Sequence, residues 1–304
     1  PITSGFKGTY AYCAPEIISQ HKYSKSGDVY AYGMIVYEII TNEIIFKGFN
    51  RFKLGIEILN GYRPEFKFPI PYCYRKLIEK CWSNDCKERP SFDEIVKLLE
   101  TDSMFITPNV DKDEYLDYIF YIKENLPSNP ILNQLSKIEA NSSTLSSTPL
   151  SEKLVKKHTI NLKIIESEKN ESSENSECFL DLTKFERKEI ISKNDSSKIY
   201  KFKEIETGHI FAGQMSMLKI SQISKTEIDK LKKELNEIYK LKHPCLLKFY
   251  GYSLIDFMKQ PKPVIITEYF SNGSLSNILE LERNQLPIEG WSFTKKLINL
   301  YGIA

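Results

Sequence analysis

The sequence lacks the cysteine and histidine patterns that hold zinc or build a disulfide framework. Its six cysteines are scattered without a Cys-x-x-Cys pair, and its four histidines are also dispersed. Structural zinc sites and small disulfide-rich domains need such residues at short, regular spacings. We therefore expect no metal site, reduced thiols and a cytoplasmic protein.

The sequence also lacks a long apolar run and a strong excess of either charge. Its most apolar stretch, residues 26–40, is too short to span a membrane and carries Glu38. Lysine and arginine number 42 against 40 aspartates and glutamates, so the formal net charge is only +2. This balance indicates neither a nucleic-acid partner nor a membrane surface. The chain does have 304 residues and 41% hydrophobic content, which suits roughly two globular domains.

Residues 26–40 predict the central helix of the first third of the chain. Apolar and aromatic residues lie almost all the way round this stretch, and a helix with that pattern belongs inside a domain. Its strong charges stand near the two ends, at Asp28 and Glu38. A carboxylate in the first turn is stabilised by the helix dipole, so Asp28 is expected to lie at the start of a buried helix.

Two further motifs flank this helix in a fixed order. The triplet Ala14–Glu16 (A-P-E) precedes it, and the segment Cys81–Phe92 (CWSNDCKERPSF) follows it. This order resembles the helical C-terminal lobe of protein kinases, in which A-P-E ends the activation segment. The resemblance implies a kinase C-lobe over residues 1–105 and is strongest to the tyrosine-kinase-like group. Thr9, in the Gly-Thr turn before A-P-E, is typical of the substrate loop of Ser/Thr kinases.

The same resemblance assigns structural roles to three charged residues. Glu16 is expected to form a bidentate ion pair with Arg89 that ties the activation segment to the lower helices. Asp28 is expected to bond backbone N–H groups of the catalytic loop. The sequence contains no H-R-D catalytic loop, so Asp28 is predicted to lack this partner. No catalytic residue and no metal ligand is therefore predicted within the chain.

The composition changes after the first 105 residues. Residues 106–126 predict one more helix that can dock on the lobe. Leu116, Ile119, Phe120 and Leu126 lie at helical spacing there. Residues 127–178 are rich in Ser, Asn, Thr, Glu and Lys and cannot bury enough apolar surface to fold. We expect a disordered linker over that range.

Residues 179–304 resemble the β-rich N-terminal lobe of a second protein kinase domain, with one main helix. In that family the third strand reads A-x-K, and its lysine grips the ATP phosphates. The preceding Thr-Gly turn sets a register that puts Gln214 at the lysine position. Lys219 is the rival candidate if the strand is shifted. Glu234 stands where the family's helix glutamate pairs with that lysine.

The remaining features of this lobe concern nucleotide recognition. The three loop glycines of the family are replaced by small polar residues, namely Ser192, Asn194 and Ser197. Glycine allows the backbone to approach phosphates closely, so these replacements degrade the phosphate cradle. Thr267 matches the gatekeeper. Glu268 and Phe270 lie in the hinge, whose main chain recognises adenine in the family.

These assignments predict an α+β protein whose activity depends on residues outside the chain. A protein kinase needs H-R-D to orient the acceptor hydroxyl and D-F-G to hold magnesium, and neither motif occurs here. The sequence begins at Pro1 inside a motif and ends at Ala304 in a helical pattern, so we expect a fragment. Its intact parent is predicted to be a tandem kinase that uses ATP and Mg²⁺ to phosphorylate Ser and Thr in protein substrates.

Two other interpretations stay open at this point. Residues 179–304 could be a pseudokinase module that binds ATP weakly or not at all and regulates its neighbour. Alternatively, residues 179–304 could pack on residues 1–105 as the upper and lower lobes of one rearranged chain.

Overall fold

The structure is a computed structural model. It describes residues 10–126 and 178–304, apart from 194–196, 218–219 and 221–223, and only the backbone of residues 51 and 52. The predicted linker over 127–178 therefore lies outside the described residues, except for Cys178.

Helices dominate the first part of the chain, and a five-stranded antiparallel sheet dominates the second. The α-helices are α1 (Pro15–Gln20), α2 (Lys25–Thr41), α3 (Arg51–Leu59), α4 (Tyr72–Cys81), α5 (Phe92–Thr101), α6 (Lys112–Asn125), α7 (Lys225–Lys240), α8 (Leu275–Arg283) and α9 (Phe293–Ile303). The strands are β1 (Phe185–Lys193), β2 (Ser197–Glu204), β3 (Ile210–Ser216), β4 (Phe249–Ser253) and β5 (Val264–Glu268). None of the described helices is long and apolar enough to cross a membrane.

The described residues divide into two compact units. The helical unit contains the described residues of 1–124 together with 272–304, and the sheet unit contains those of 125–271. This division differs from the predicted one, in which residues 179–304 form a single lobe. Helices α8 and α9 bury their apolar side chains within the helical unit. They therefore belong to that unit and not to the sheet unit.

Helix α2 is the core of the helical unit. Ser24 caps its start by accepting a hydrogen bond from the Gly27 N–H at 3.2 Å, and Asn42 ends it in the left-handed conformation. Tyr30, Met34 and Ile39 are completely buried, as the apolar circumference of the sequence predicts. Helix α4 packs closely on α2 at Gly33, where an added Cβ would lie 2.7 Å from the Cβ of Cys81.

Helices α5 and α6 extend the helical unit. Ser91 and Glu94 form the capping box that begins α5, and Ile95 and Leu99 are buried along its inner face. Helix α6 packs on this unit through Tyr115, whose hydroxyl donates to the Leu99 carbonyl at 3.2 Å. Helix α6 lies within the range 106–126, for which one more helix was predicted.

The buried face of α6 is formed by tyrosine and isoleucine side chains. Tyr115, Ile119 and Ile122 are buried, whereas Leu116 and Phe120 are exposed. Of the four residues whose helical spacing predicted this helix, Ile119 alone is therefore buried. Tyrosine counts as polar in a simple apolar pattern, yet Tyr115 supplies the largest inward side chain of this helix.

The sheet of the sheet unit has the order β1-β2-β3-β5-β4, with every neighbouring pair antiparallel. Its strands carry side chains alternately on two faces. One face buries an apolar cluster that includes Phe202, Phe211, Met215 and Ile266. Helix α7 packs near the other face, where Leu235 contacts Tyr252 and the partly buried Ile265.

Candidate functional site

The end of the predicted activation segment is held by a bidentate ion pair in the helical unit. Pro15 occupies the first turn of α1, and Glu16 follows it. Two guanidinium nitrogens of Arg89 donate to the two carboxylate oxygens of Glu16, at 2.7 and 2.9 Å. The Arg89 side chain is fully buried, and its other hydrogen bonds go to the carbonyls of Ser83 and Ser26. Arg89 thus joins α1, the start of α2 and the turn before α5.

The aromatic ring of Tyr30 lies between two guanidinium groups. The centre of its ring is 5.1 Å from the Arg89 guanidinium carbon and 4.9 Å from that of Arg63. Arg63 itself donates to the carbonyls of Trp82, Ile58 and Tyr62. Burial raises the pKa of Tyr30 to about 12, although both arginines act to lower it. These contacts form a cationic cluster around a buried, neutral phenol.

Asp28 takes no part in this cluster. Its side chain is exposed in the first turn of α2, and none of the described residues donates a hydrogen bond to it. Burial of part of the side chain raises the pKa of its carboxyl. Glu38, near the other end of α2, accepts hydrogen bonds from the Tyr12 hydroxyl and from the backbone of Ile45. Thr9 lies outside the described residues.

In the sheet unit, Gln214 lies on the central strand β3. It pairs with Ile199 on β2 and Ile265 on β5. Residues directly opposite one another share a face, so Gln214 lies on the same face as Ile265, toward α7. Its amide nitrogen donates to the Ser197 hydroxyl at 3.0 Å. The position predicted for the phosphate-gripping lysine therefore carries a neutral amide on β3. Lys219 lies outside the described residues.

Glu234 lies on α7 beside the buried Leu235. One of its carboxylate oxygens is 3.8 Å from the Lys230 ammonium, one turn earlier on the same helix. Its other oxygen, Oε2, is buried and has no hydrogen-bond partner among the described residues. A buried carboxylate oxygen without a donor is costly, and a lysine on β3 would be a natural partner for it. Gln214 and Glu234 are not joined by a hydrogen bond in the described part of the chain.

The predicted hinge follows strand β5. The Thr267 hydroxyl lies within 3.5 Å of the Ala212 carbonyl on the neighbouring β3. Glu268 forms two hydrogen bonds with Lys248. The Glu268 N–H donates to the Lys248 carbonyl, and the Glu268 carboxylate accepts from the Lys248 N–H. Beyond Glu268 the backbone leaves the sheet, and Phe270 is 58% exposed.

The positions predicted to contact the phosphates carry a glutamine and two serines in place of the family's lysine and glycines. The hinge offers main-chain groups, but Gln214 supplies no positive charge, and Ser192 and Ser197 stand in strands where glycines would form a loop. Asn194 lies outside the described residues. Among the described residues, no group of three or more His, Cys, Asp or Glu side chains is arranged to hold a metal ion. The described residues therefore do not fit magnesium-bound triphosphate, and no phosphoryl-transfer step is assigned to them.

The sequence did not predict two of these contacts, those of Arg63 and the hydrogen bond between Gln214 and Ser197. Arg63 lies two residues after Gly61 and directly before Pro64, a context typical of an exposed turn rather than of a partly buried cation. The Gln214 to Ser197 hydrogen bond joins two positions considered separately, one as a lost glycine and one as a lost lysine. The β2–β3 register, in which Ser197 pairs with Ser216, would have brought them within reach.

A comparison with known protein families matches most of the described chain. The sequence profile of the family described as protein tyrosine and serine/threonine kinase matches residues 3–99 and 197–296. The first segment includes the A-P-E triplet, Asp28 and Arg89. The second includes Gln214, Glu234 and the hinge.

Several curated proteins are similar to parts of the chain. The serine/threonine-protein kinase VIK of Arabidopsis thaliana is 37% identical over 98 residues, which are 32% of this chain and 22% of that protein. A mitogen-activated protein kinase kinase kinase of Drosophila melanogaster is 38% identical over 95 residues, or 31% of this chain and 8% of its own length. The dual specificity protein kinase shkE of Dictyostelium discoideum is 32% identical over 142 residues, or 44% of this chain and 20% of its own.

The chain thus spans less than a quarter of the length of the curated relatives that it matches. The family profile, in contrast, covers well over half of the chain. Its two segments include the A-P-E triplet and the predicted hinge. The chain belongs to the protein tyrosine and serine/threonine kinase family.

Proposed function

We propose that the chain is part of a tandem protein kinase of the tyrosine-kinase-like group, which transfers the γ-phosphoryl group of ATP to Ser and Thr of protein substrates. The bidentate Glu16–Arg89 pair is the observation that carries this proposal. It fixes the chain at Glu16, seven residues after Thr9, the position that the family resemblance assigns to the substrate loop. The kinase names of the relatives, which include serine/threonine-protein kinases, support the same reaction class.

In this proposal residues 1–105 act as the C-lobe, and the catalytic and magnesium-binding aspartates come from sequence beyond this chain. The chain alone is expected to transfer no phosphate because it contains neither H-R-D nor D-F-G. The intact protein would work in the cytoplasm with ATP and Mg²⁺ as its required small molecules.

A kinase assay on the longer protein tests this proposal. We expect incorporation of phosphate into generic Ser and Thr peptides, with little into a Tyr peptide. Thr9→Ala should strongly reduce this activity and Thr9→Ser should retain it, because the serine keeps the hydroxyl. Thr101→Ala, at the exposed end of α5, is the matched control and should leave activity unchanged. Activity on the Tyr peptide alone, or full activity in Thr9→Ala, would contradict the assignment.

A specific observation also favours a second function, that of a pseudokinase. Gln214 donates to Ser197 instead of presenting a charge, and a buried oxygen of Glu234 has no hydrogen-bond partner among the described residues. Together these features support a sheet unit that binds ATP weakly or not at all and regulates an adjacent kinase domain. Gln214 rather than Lys219 is the residue that we assign to the lysine position.

Nucleotide titration of the whole chain distinguishes the two functions. We expect weak binding of ATP that magnesium does not strengthen. Gln214→Lys should tighten ATP binding at least several-fold, because a lysine would neutralise Glu234 and reach the phosphates. Gln20→Lys makes the same charge change at an exposed position of α1 and should have no effect. Tight, magnesium-dependent binding by the unsubstituted chain would exclude the pseudokinase function.

A further inference from the structure

A cleft lies between helices α4 and α5 of the helical unit, and the turn Ser103–Phe105 forms part of its wall. Leu77 and Phe105 line this α4–α5 cleft and are buried. The Cys73 thiol donates to the Met104 carbonyl at 3.2 Å, which holds the turn on α4. The cleft encloses about 250 Å³. Sites for cofactors and drug-sized molecules usually hold about 300–1,000 Å³, so this cleft suits one or two side chains of a protein partner better than a cofactor.

The rim of the α4–α5 cleft is apolar and exposed. Tyr72 on α4 is 65% exposed, and Met104 in the turn is 56% exposed. Leu98 on α5 also belongs to the rim and is exposed. Large apolar side chains that cluster at the mouth of a cleft mark an interaction surface. The flexible thioether of Met104 can adapt to the shape of a partner. The rim therefore indicates a partner with an apolar ridge.

The unmatched charge of the cleft is positive. The Lys76 ammonium lies 5.9 Å from the centre of the Tyr72 ring and forms no ion pair with another described residue. The acids at the cleft already have donors. Glu94 accepts hydrogen bonds from the N–H and the hydroxyl of Ser91, and Asp102 accepts one from a backbone N–H of the turn that follows it. A partner that brings carboxylates to Lys76 is therefore complementary to the cleft.

The outward face of α6 has the complementary features. Leu116 and Phe120 lie one turn apart on this face and are 42% and 62% exposed. We call this pair the α6 ridge. Asp113, Asp117 and Glu124 are exposed beside it, and none of them forms an ion pair with another described residue. The α6 ridge is thus an apolar i, i+4 pair with an acidic flank, a pattern typical of a helix that docks in an apolar groove.

The α6 ridge cannot enter the cleft of its own molecule. Tyr115, Ile119 and Ile122 bury the other face of α6 in the helical unit. The Tyr115 hydroxyl donates to the Leu99 carbonyl on α5, which fixes α6 in place with its ridge pointing outward. A cleft that receives this ridge must therefore belong to another molecule.

We propose that two copies of this chain associate by placing the α6 ridge of one in the α4–α5 cleft of the other. The ridge covers the apolar rim of the cleft, and its acidic flank meets Lys76 and Lys80 on α4. The cleft and the ridge are different surfaces, so the contact is head-to-tail. Two copies close it with a pair of such contacts, or further copies extend it. The inference goes beyond phosphoryl transfer, because it concerns a surface distant in sequence from Thr9, Gln214 and Glu234.

Mixing two variants of the whole chain tests the proposal by sedimentation velocity. We expect the unsubstituted chain to self-associate as its concentration rises. Phe120→Asp disables the ridge, Lys76→Glu disables the cleft, and each should weaken self-association about tenfold or more. An equimolar mixture of the two should form a one-to-one complex, because the Phe120→Asp copy keeps its cleft and the Lys76→Glu copy keeps its ridge. A mixture that associates no better than either variant alone would overturn the proposal.

Ile56→Asp is the matched control, since it puts the same charge at an exposed apolar position of another helix of this unit, α3. It should self-associate like the unsubstituted chain. Circular dichroism checks that all three variants are folded. An unsubstituted chain that stays monomeric at every concentration would overturn the proposal and leave the cleft to a different protein. Undiminished self-association of the Phe120→Asp and Lys76→Glu variants would also overturn it, because the copies would then meet through another surface.

Discussion

The Arg89 side chain is completely buried and makes charge-assisted hydrogen bonds to Glu16. Arg89→Ala would leave a half-buried carboxylate without its partner, and we expect a loss of about 3–5 kcal/mol in the free energy of unfolding. Urea denaturation measures this loss. Arg75→Ala is the matched control, since it removes an exposed i, i+4 pair with Glu79 and should cost under about 0.5 kcal/mol. Equal losses of unfolding free energy in the two variants would show that the buried Glu16–Arg89 pair stabilises the protein no more than an exposed pair does.

The pH dependence of the same variant gives an independent check. Burial raises the pKa of the Glu16 carboxyl, but hydrogen bonds led by those from Arg89 outweigh burial and hold that pKa below its usual value of 4.5. A lowered folded-state pKa contributes stability above the unfolded value, and that contribution is lost as the pH falls through the folded value. The stability gap between wild type and Arg89→Ala should therefore be constant near pH 7 and narrow below pH 4.5. A gap that stays constant down to pH 3 would contradict the ion-pair assignment.

Tyr30 and Tyr32 lie two positions apart on α2, and their buried hydroxyls have opposite hydrogen-bonding states. The Tyr30 hydroxyl is buried and has no partner among the described residues, whereas the Tyr32 hydroxyl donates to Leu300. Tyr30→Phe should leave stability unchanged or raise it slightly, because an unsatisfied polar group is removed. Tyr32→Phe should lower it by about 1 kcal/mol or more, because a buried carbonyl loses its donor. Thermal unfolding of the two variants under identical conditions tests this contrast, and a larger loss in Tyr30→Phe would refute it.

At the scale of elements, the existence of each helix and strand was easier to predict than its orientation. The all-round apolar pattern of residues 26–40 predicted a buried helix, and the structure has α2 over Lys25–Thr41. The capping residues Ser91 and Glu94 marked the start of α5 directly, because the cap is a local interaction. The inward face of α6 could not be predicted in this way. It depends on Tyr115 reaching the Leu99 carbonyl, which is a tertiary contact.

The packing of α4 on α2 leads to a prediction at the same scale. Gly33→Ala would place a methyl group 2.7 Å from the Cβ of Cys81, so the two helices must separate. We expect a loss of about 1–3 kcal/mol in stability. Gly55→Ala on α3 is the control, because its nearest neighbour would be at an ordinary 3.5 Å and alanine favours a helix. Chemical denaturation should therefore give a lower free energy of unfolding for Gly33→Ala than for Gly55→Ala. A Gly33→Ala variant as stable as Gly55→Ala would contradict close packing of α4 on α2.

At the scale of the whole molecule, the grouping of residues 272–304 with the first 124 is the feature that the sequence did not predict. Family resemblance assigned this segment to the N-lobe by its order in the chain, next to the hinge at Glu268. The assembly depends instead on complementary side chains, such as Tyr301 with Glu100, which are 201 positions apart. Local patterns carry no information about such pairs. The alternative that the sequence left open packed all of residues 179–304 on residues 1–105, whereas only residues 272–304 of that range group with the helical unit.

The division into two compact units also predicts separate responses to unfolding. The chain has two tryptophans, Trp82 and Trp291, and both belong to the helical unit. Tryptophan fluorescence should therefore follow the helical unit, while circular dichroism follows both units. Gly33→Ala should lower the midpoint of the fluorescence transition. Gly213→Ala places a methyl group against the buried Phe202 ring in the sheet, so it should lower only a component seen by circular dichroism.

This contrast depends on each unit having its own apolar core, one built on α2 and the other on Phe202 and its neighbours. Loss of packing in one core then leaves the contacts of the other intact, because local stability follows local burial. Both substitutions replace glycine by alanine, so their effects on the unfolded chain are the same in kind. A Gly213→Ala variant whose fluorescence midpoint falls as far as that of Gly33→Ala would mean that the chain unfolds as one cooperative body.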